Sequence, residues 1–90
     1  MWLKRSRLDP AGVIHYVWGP AVGTATAGFA VTVARCESGL RPDAYNPSGA
    51  TGVFQIIGGP FDVWDNVRMA LRMYHERGWQ PWVASAYCWS

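Results

Sequence analysis

The spacing of apolar residues divides this chain into three regions. From Ala11 to Ala34 there is no Lys, Arg, Asp or Glu, and the first charges afterwards are Arg35 and Glu37. Asp9-Pro10 opens the run as a helix start, a capping side chain followed by proline at the first helical position. Val13, Ile14 and Val17 then keep helical spacing, and Gly19-Pro20 is expected to stop the helix. A second helix, rich in Ala and Val, is expected from Pro20 or Thr24 to Glu37, with Gly39 as the left-handed residue that ends it. A helix apolar nearly all round is a buried one. Gly23 and Gly28 lower its intrinsic propensity and allow close packing against a neighbour.

The pattern changes after Leu40. Asn46-Pro47-Ser48-Gly49 reads as a turn. Ala50 to Ile57 is a short apolar run interrupted by Gly52 and Gln55, a strand or a strand-to-helix junction, and Gly58-Gly59-Pro60 breaks it. Asp62 caps a third helix whose apolar positions Val63, Val67, Ala70, Leu71 and Tyr74 follow the 3.6 period, up to Gly78. The tail places Trp79, Pro81, Trp82 and Trp89 around a short helix that brings Cys88 back.

The first run admits other readings. Lys4, Arg5 and Arg7 before it, and Thr24-Ala25-Thr26-Ala27 within it, leave a cleaved signal peptide open. Its length leaves a membrane span open. Asp9-Pro10, Gly19-Pro20 and His15 favour two short buried helices, so no stable membrane span is expected. Val33-Ala34-Arg35-Cys36 is a poor lipoprotein box, because arginine precedes the cysteine.

Ninety residues are expected to form one domain over 1–90. A chain of that size buries only roughly 60–65% of its unfolded surface, so its core alone is marginal. Half the residues are hydrophobic and 16% are charged, which excludes a disordered chain. Six tryptophans are more than so small a core is expected to hide. A net charge of +2 is too weak to argue for nucleic acid, and suits an anionic glycan polymer or an ordinary surface equally. Cys36 and Cys88 are an even count, which suggests a bridge closing about 50 residues and supplying on the order of 4 kcal/mol. Two buried free thiols are the alternative. His15 and His75 lie far apart with no ligands nearby, so neither a metal nor any cofactor is expected.

Glu37 is the residue with chemistry in it. At the end of an apolar helix its carboxyl is partly desolvated and faces the negative end of the helix dipole, and both disfavour ionisation. A raised pKa lets a carboxylic acid donate a proton near neutral pH. An ordinary surface glutamate at a helix end is the competing reading.

The stretch C-E-S-G-L-R-P-D-A-Y-N-P-S-G-A-T-G-V-F-Q-I resembles the catalytic segment of the lysozyme-like lytic transglycosylases. That signature is a helix ending in E-S-G, a polar N-P loop and a glycine turn followed by G-(L/V)-(M/F)-Q-(I/L/F). Cysteine before the glutamate and phenylalanine before the glutamine look like actinobacterial and actinophage wall lysins and the resuscitation-promoting factors. Residues 62 to 82 resemble the next helix of the family, where D-P-x-x-N-(I/V) opens. The resemblance implies a mainly α, α+β lysozyme-like fold with a short irregular β segment at the cleft. It implies cleavage of the β-1,4 bond between N-acetylmuramic acid and N-acetylglucosamine, with Glu37 as acid and then base. Ser38 falls on a serine that holds the acid and the sugar, and Gln55 on a glutamine facing the site, with Tyr45, Asn46 and Gly52 beside it. A buried amide satisfying loop carbonyls stays open for Gln55, and loop packing for Tyr45.

Two features depart from the family. No A-Y-N-x-G segment follows the third helix, so the tyrosine that contacts the acid is missing, with Tyr74 and Tyr87 as possible substitutes. The loop after Gln55 is short, which implies an open cleft. A second carboxylate is not evident. Asp43 is the nearest candidate, with a solvated loop residue as its alternative, and Asp62 lies behind it. The expectation is a monomer acting on the peptidoglycan glycan strand outside the cytoplasm, as a phage lysin, a virion part or a bacterial remodelling enzyme. Hydrolysis of the same bond and a non-catalytic wall-binding module remain alternatives. Trp82 or Trp89 is a candidate sugar-stacking platform, with core filling as the alternative.

Overall fold

The computed structural model describes residues 8–90, so the basic cluster of Lys4, Arg5 and Arg7 lies outside the described residues. Helix α1 (Pro10–Val22) begins where the Asp9 carboxylate accepts from the Gly12 N–H at 2.8 Å, with proline in the first turn. It does not stop at Gly19-Pro20. Pro20 sits in the last turn, where its missing N–H forfeits one helical bond, and the Gly23 N–H closes the end on the Gly19 carbonyl at 2.9 Å. The chain leaves the helix one turn later, at Gly23 with φ 91°.

Helix α2 (Thr24–Ser38) follows at once and ends as expected at Gly39, whose φ of 66° lets its N–H reach the Arg35 carbonyl. The uncharged run is therefore two helices packed on one another. Val13, Ile14 and Trp18 of α1 are fully buried, as are Ala27, Ala30, Val33 and Ala34 of α2. Strands β1 (Ala50–Thr51) and β2 (Ile56–Ile57) form a two-residue antiparallel hairpin, with Ala50 opposite Ile57 and Thr51 opposite Ile56. Helix α3 (Val63–Arg77) starts where Asp62 accepts from the Asp65 N–H and stops at Gly78. A 3-10 segment (Gln80–Ser85) and a single-turn helix α4 (Ala86–Trp89) complete the mainly α fold.

An aromatic stack runs through the core. The Trp18 ring lies parallel to Phe54 on one contact and to Trp79 on another, at 5.6 and 5.7 Å between centroids. Its indole N–H donates to the Val67 carbonyl at 3.2 Å, and that of Trp82 donates to the Phe54 carbonyl at 2.9 Å. Burying a ring of this size contributes about 4 kcal/mol or more, provided its polar edge finds a partner. Trp18, Trp64 and Trp82 are core residues, and Trp79 and Trp89 pack against them. Trp79 and Trp89 are only partly buried, so the described chain does carry more tryptophans than its core hides, as expected.

Cys36 and Cys88 are joined by a disulfide across a sequence separation of 52, with Cα atoms 5.9 Å apart. The tail is thereby tied to the last turn of α2. Among the described residues no helix is long and apolar enough to cross a membrane, and no group of His, Cys, Asp and Glu could hold a metal ion.

Candidate active site

Glu37 lies one residue before the end of α2 and is half-buried. Burial pushes its carboxyl above the usual carboxylate range, and a hydrogen bond from Ser85 acts the other way. That bond is short, 2.5 Å from Ser85 Oγ to Glu37 Oε2, as expected of a hydroxyl donating to a carboxylate. The same Oγ accepts from the Trp89 indole N–H at 2.9 Å and lies 3.1 Å from the Trp82 carbonyl. Ser85 comes from the tail, 48 residues after Glu37 in sequence. Neither tyrosine considered as a substitute occupies this place. Tyr74 packs on Trp18 and Trp79, and Tyr87 is 88% exposed.

Ser38, next to Glu37, is buried and turned the other way. Its Oγ donates to the Val53 carbonyl at 2.6 Å, with the Ala34 carbonyl at 3.2 Å. This bond fastens the end of α2 to the turn of the hairpin. Gln55 adopts φ 50°, a left-handed conformation that side-chain-bearing residues seldom take. Its Nε2 donates to the carbonyls of Ala44 and Gly52 at 3.2 and 3.0 Å, which holds the strained turn in place.

Asn46 organises the preceding turn. Its Oδ1 accepts from the Ser48 N–H at 3.0 Å and its own N–H donates to the Ala50 carbonyl. Tyr45 is exposed, forms an isolated bridge with Thr51, and lies 6.3 Å from the Phe61 ring. Asp43 is exposed on the loop after α2.

The sequence reading missed Asn66 and Ser85. Asn66 is fully buried on α3, and its Oδ1 accepts from the Phe54 N–H at 2.9 Å. Its Nδ2 donates to the carbonyls of Thr51 and Pro60, each at 2.9 Å. One amide therefore anchors both sides of the hairpin turn and the link to α3. Gly52 is required by that contact, since a Cβ there would come within 2.5 Å of Asn66 Nδ2 and φ is +79°. The signal for Asn66 was present, as an amide on the Val63, Val67, Ala70 face that should be apolar. Ser85 carried none, because its partner is distant in sequence and its neighbours form no motif.

A half-buried carboxyl with a raised pKa, a fixed hydroxyl partner and a rigid hairpin beside it can exchange a proton with a bound molecule. Residues 24–63 match the family model described as "Transglycosylase SLT domain", a segment that spans α2, the polar loop, the hairpin and the start of α3. No curated protein and no solved structure matches the chain. Over that segment the chain is lytic-transglycosylase-like.

Proposed function

We propose that this chain, lytic-transglycosylase-like over residues 24–63, cleaves the glycan strands of peptidoglycan with Glu37 as its general acid and base. The observation that carries the reading is the state of Glu37. It is the described carboxyl whose pKa burial raises, and it lies inside the matched segment. The bond cut is the β-1,4 link between N-acetylmuramic acid and N-acetylglucosamine. Glu37 gives its proton to the glycosidic oxygen as the bond from the muramic C1 breaks. The 6-hydroxyl of the same muramic residue then attacks C1 and returns its proton to the Glu37 carboxylate, leaving a 1,6-anhydro end. Each step uses the same carboxyl, first as acid and then as base.

The rest of the site supports this reading by position. Ser38 sets the carboxyl against the hairpin through Val53. With both Nε2 donors of Gln55 engaged by loop carbonyls, its Oε1 is the atom offered to a sugar N–H or hydroxyl. Gly52 keeps the turn tight, and Tyr45 and Asn46 border the sugar from the loop. A two-carboxylate hydrolase would need a second acid, and Asp43 is a solvent-exposed loop residue. The chain works on the wall, extracellularly, as a monomer.

Digestion of purified peptidoglycan followed by mass analysis tests this. The wild type is expected to release 1,6-anhydro-muramic ends, and Glu37→Gln to lose cleavage by on the order of 10²–10⁴ while still binding wall. Reducing ends alone would establish hydrolysis. Normal turnover by Glu37→Gln would remove Glu37 from the chemistry, and wall binding without cleavage by the wild type would leave a binding module.

A further inference from the structure

We propose that Ser85 is the positioning residue for Glu37, a hydroxyl that serves the carboxyl in both of its protonation states, with Trp89 as its fixed donor. The proposal rests on Glu37 being the acid. A serine hydroxyl has one proton to give and two lone pairs to fill. Around Ser85 Oγ are three partners. The Trp89 indole N–H, at 2.9 Å, can only donate, and the Trp82 carbonyl, at 3.1 Å, can only accept. Glu37 Oε2, at 2.5 Å, accepts when ionised and can donate when protonated.

The one hydroxyl proton therefore has two resting places. With Glu37 ionised it points to the carboxylate. With Glu37 protonated on Oε2 the acid donates to Oγ, and the serine proton turns to the Trp82 carbonyl. Trp89 fills one lone pair in both states, so the hydroxyl always accepts from Trp89 and gives its proton either to Glu37 or to the Trp82 carbonyl. A carboxyl that must lose a proton and regain it needs a partner that fits both forms. A donor-only partner would hold it ionised, and an acceptor-only partner would hold it neutral.

The tail is built to keep this register. Cys88 lies between Ser85 and Trp89 in sequence and is bonded to Cys36, the neighbour of Glu37. The Trp89 ring is held edge-on to Phe29, with centroids 5.5 Å apart. Other charged groups do not compete for the role. The tail elements packed on α2 bring only Tyr87 as a titratable side chain. Helix α1 brings His15 and Tyr16, α2 itself Arg35, and the loop after it Arg41 and Asp43. The causes of the Glu37 shift are burial and the Ser85 bond.

The test is the titration of the Glu37 carboxyl carbon, followed by NMR in the whole chain, alongside the pH profile of peptidoglycan cleavage. Ser85→Ala removes the donor that favours the carboxylate, so the Glu37 midpoint and the alkaline limb of cleavage should both move to higher pH. The cleavage rate should fall on the order of 10- to 100-fold. Trp89→Phe keeps an aromatic ring but removes the indole N–H, and should move the midpoint the same way by less. Ser85→Thr keeps the hydroxyl and should restore the wild-type midpoint. An unmoved Glu37 titration in both Ser85→Ala and Trp89→Phe overturns the proposal, even if activity drops. If the midpoint moves but Glu37→Gln still cleaves, the contact stands and the assignment of the acid fails.

Discussion

A carboxyl in the last turn of an apolar helix gives up water and faces the negative end of the helix. For Glu37 the loss of water outweighs the Ser85 bond, and its pKa is raised. The folded protein then holds this proton more tightly than the unfolded chain. Stability therefore falls as pH rises from the ordinary carboxyl range through the folded pKa of Glu37, and the penalty persists above it. Glu37→Gln has no such proton to lose. It should melt higher than the wild type at neutral pH, with the difference closing below the ordinary carboxyl range. Melting temperatures of both proteins across that range check the sign, and a gap independent of pH would contradict it.

At the scale of elements, the hairpin is too short to stand by its own strand pairing, since two residues a side give few bonds. Asn66 supplies the missing attachment from α3. Asn66→Ala leaves the buried Phe54 N–H and two carbonyls without their partner, a loss of about 3 kcal/mol at roughly 1 kcal/mol for each bond. Urea denaturation would read this, and a loss below about 1 kcal/mol would show that the turn holds itself. Gly52→Ala should cost more than about 1 kcal/mol, from the positive φ and from the close approach to Asn66 Nδ2. In an Asn66→Ala background part of that cost should disappear, because the side chain in the way has gone. Equal costs in both backgrounds would assign the whole effect to the backbone angle. Helix signals at Asp9-Pro10, Asp62, Gly39 and Gly78 were all legible in sequence, because a cap acts within its own turn. Pro20 misled, because a proline in the last turn removes so little.

For the whole molecule the question is how ninety residues keep a unique fold with so little interior. Its rings supply large buried areas, and the Cys36–Cys88 disulfide restrains a loop of some 50 residues. In the chain-entropy model such a bridge contributes about 4 kcal/mol. Full reduction should therefore lower Tm by roughly 15 °C or more for a domain of this size. It should also free Ser85 and Trp89 from Glu37, so cleavage should fall together with Tm. Calorimetry and product release with and without reductant test both, and an unchanged Tm after complete reduction would remove the disulfide from the account. Dependence on the bridge suits a protein working in an oxidising compartment.

The sequence alone determined the helices, their ends apart from that of α1, and the candidate acid Glu37, because periodicity, caps and the E-S-G stretch are local. It also brought Cys36 and Cys88 together as a pair, by number and not by geometry. The tertiary structure decided the surroundings of Glu37. Ser85 arrives from 48 residues away, Asn66 reaches the hairpin from 12 and 15 residues away, and Trp18 meets Val67 across 49. Spacing can mark an odd polar residue such as Asn66 on an apolar face, but it does not name the partner, because a hydroxyl or an amide can serve many roles. Which one it serves depends on what packing brings within about 3 Å of it.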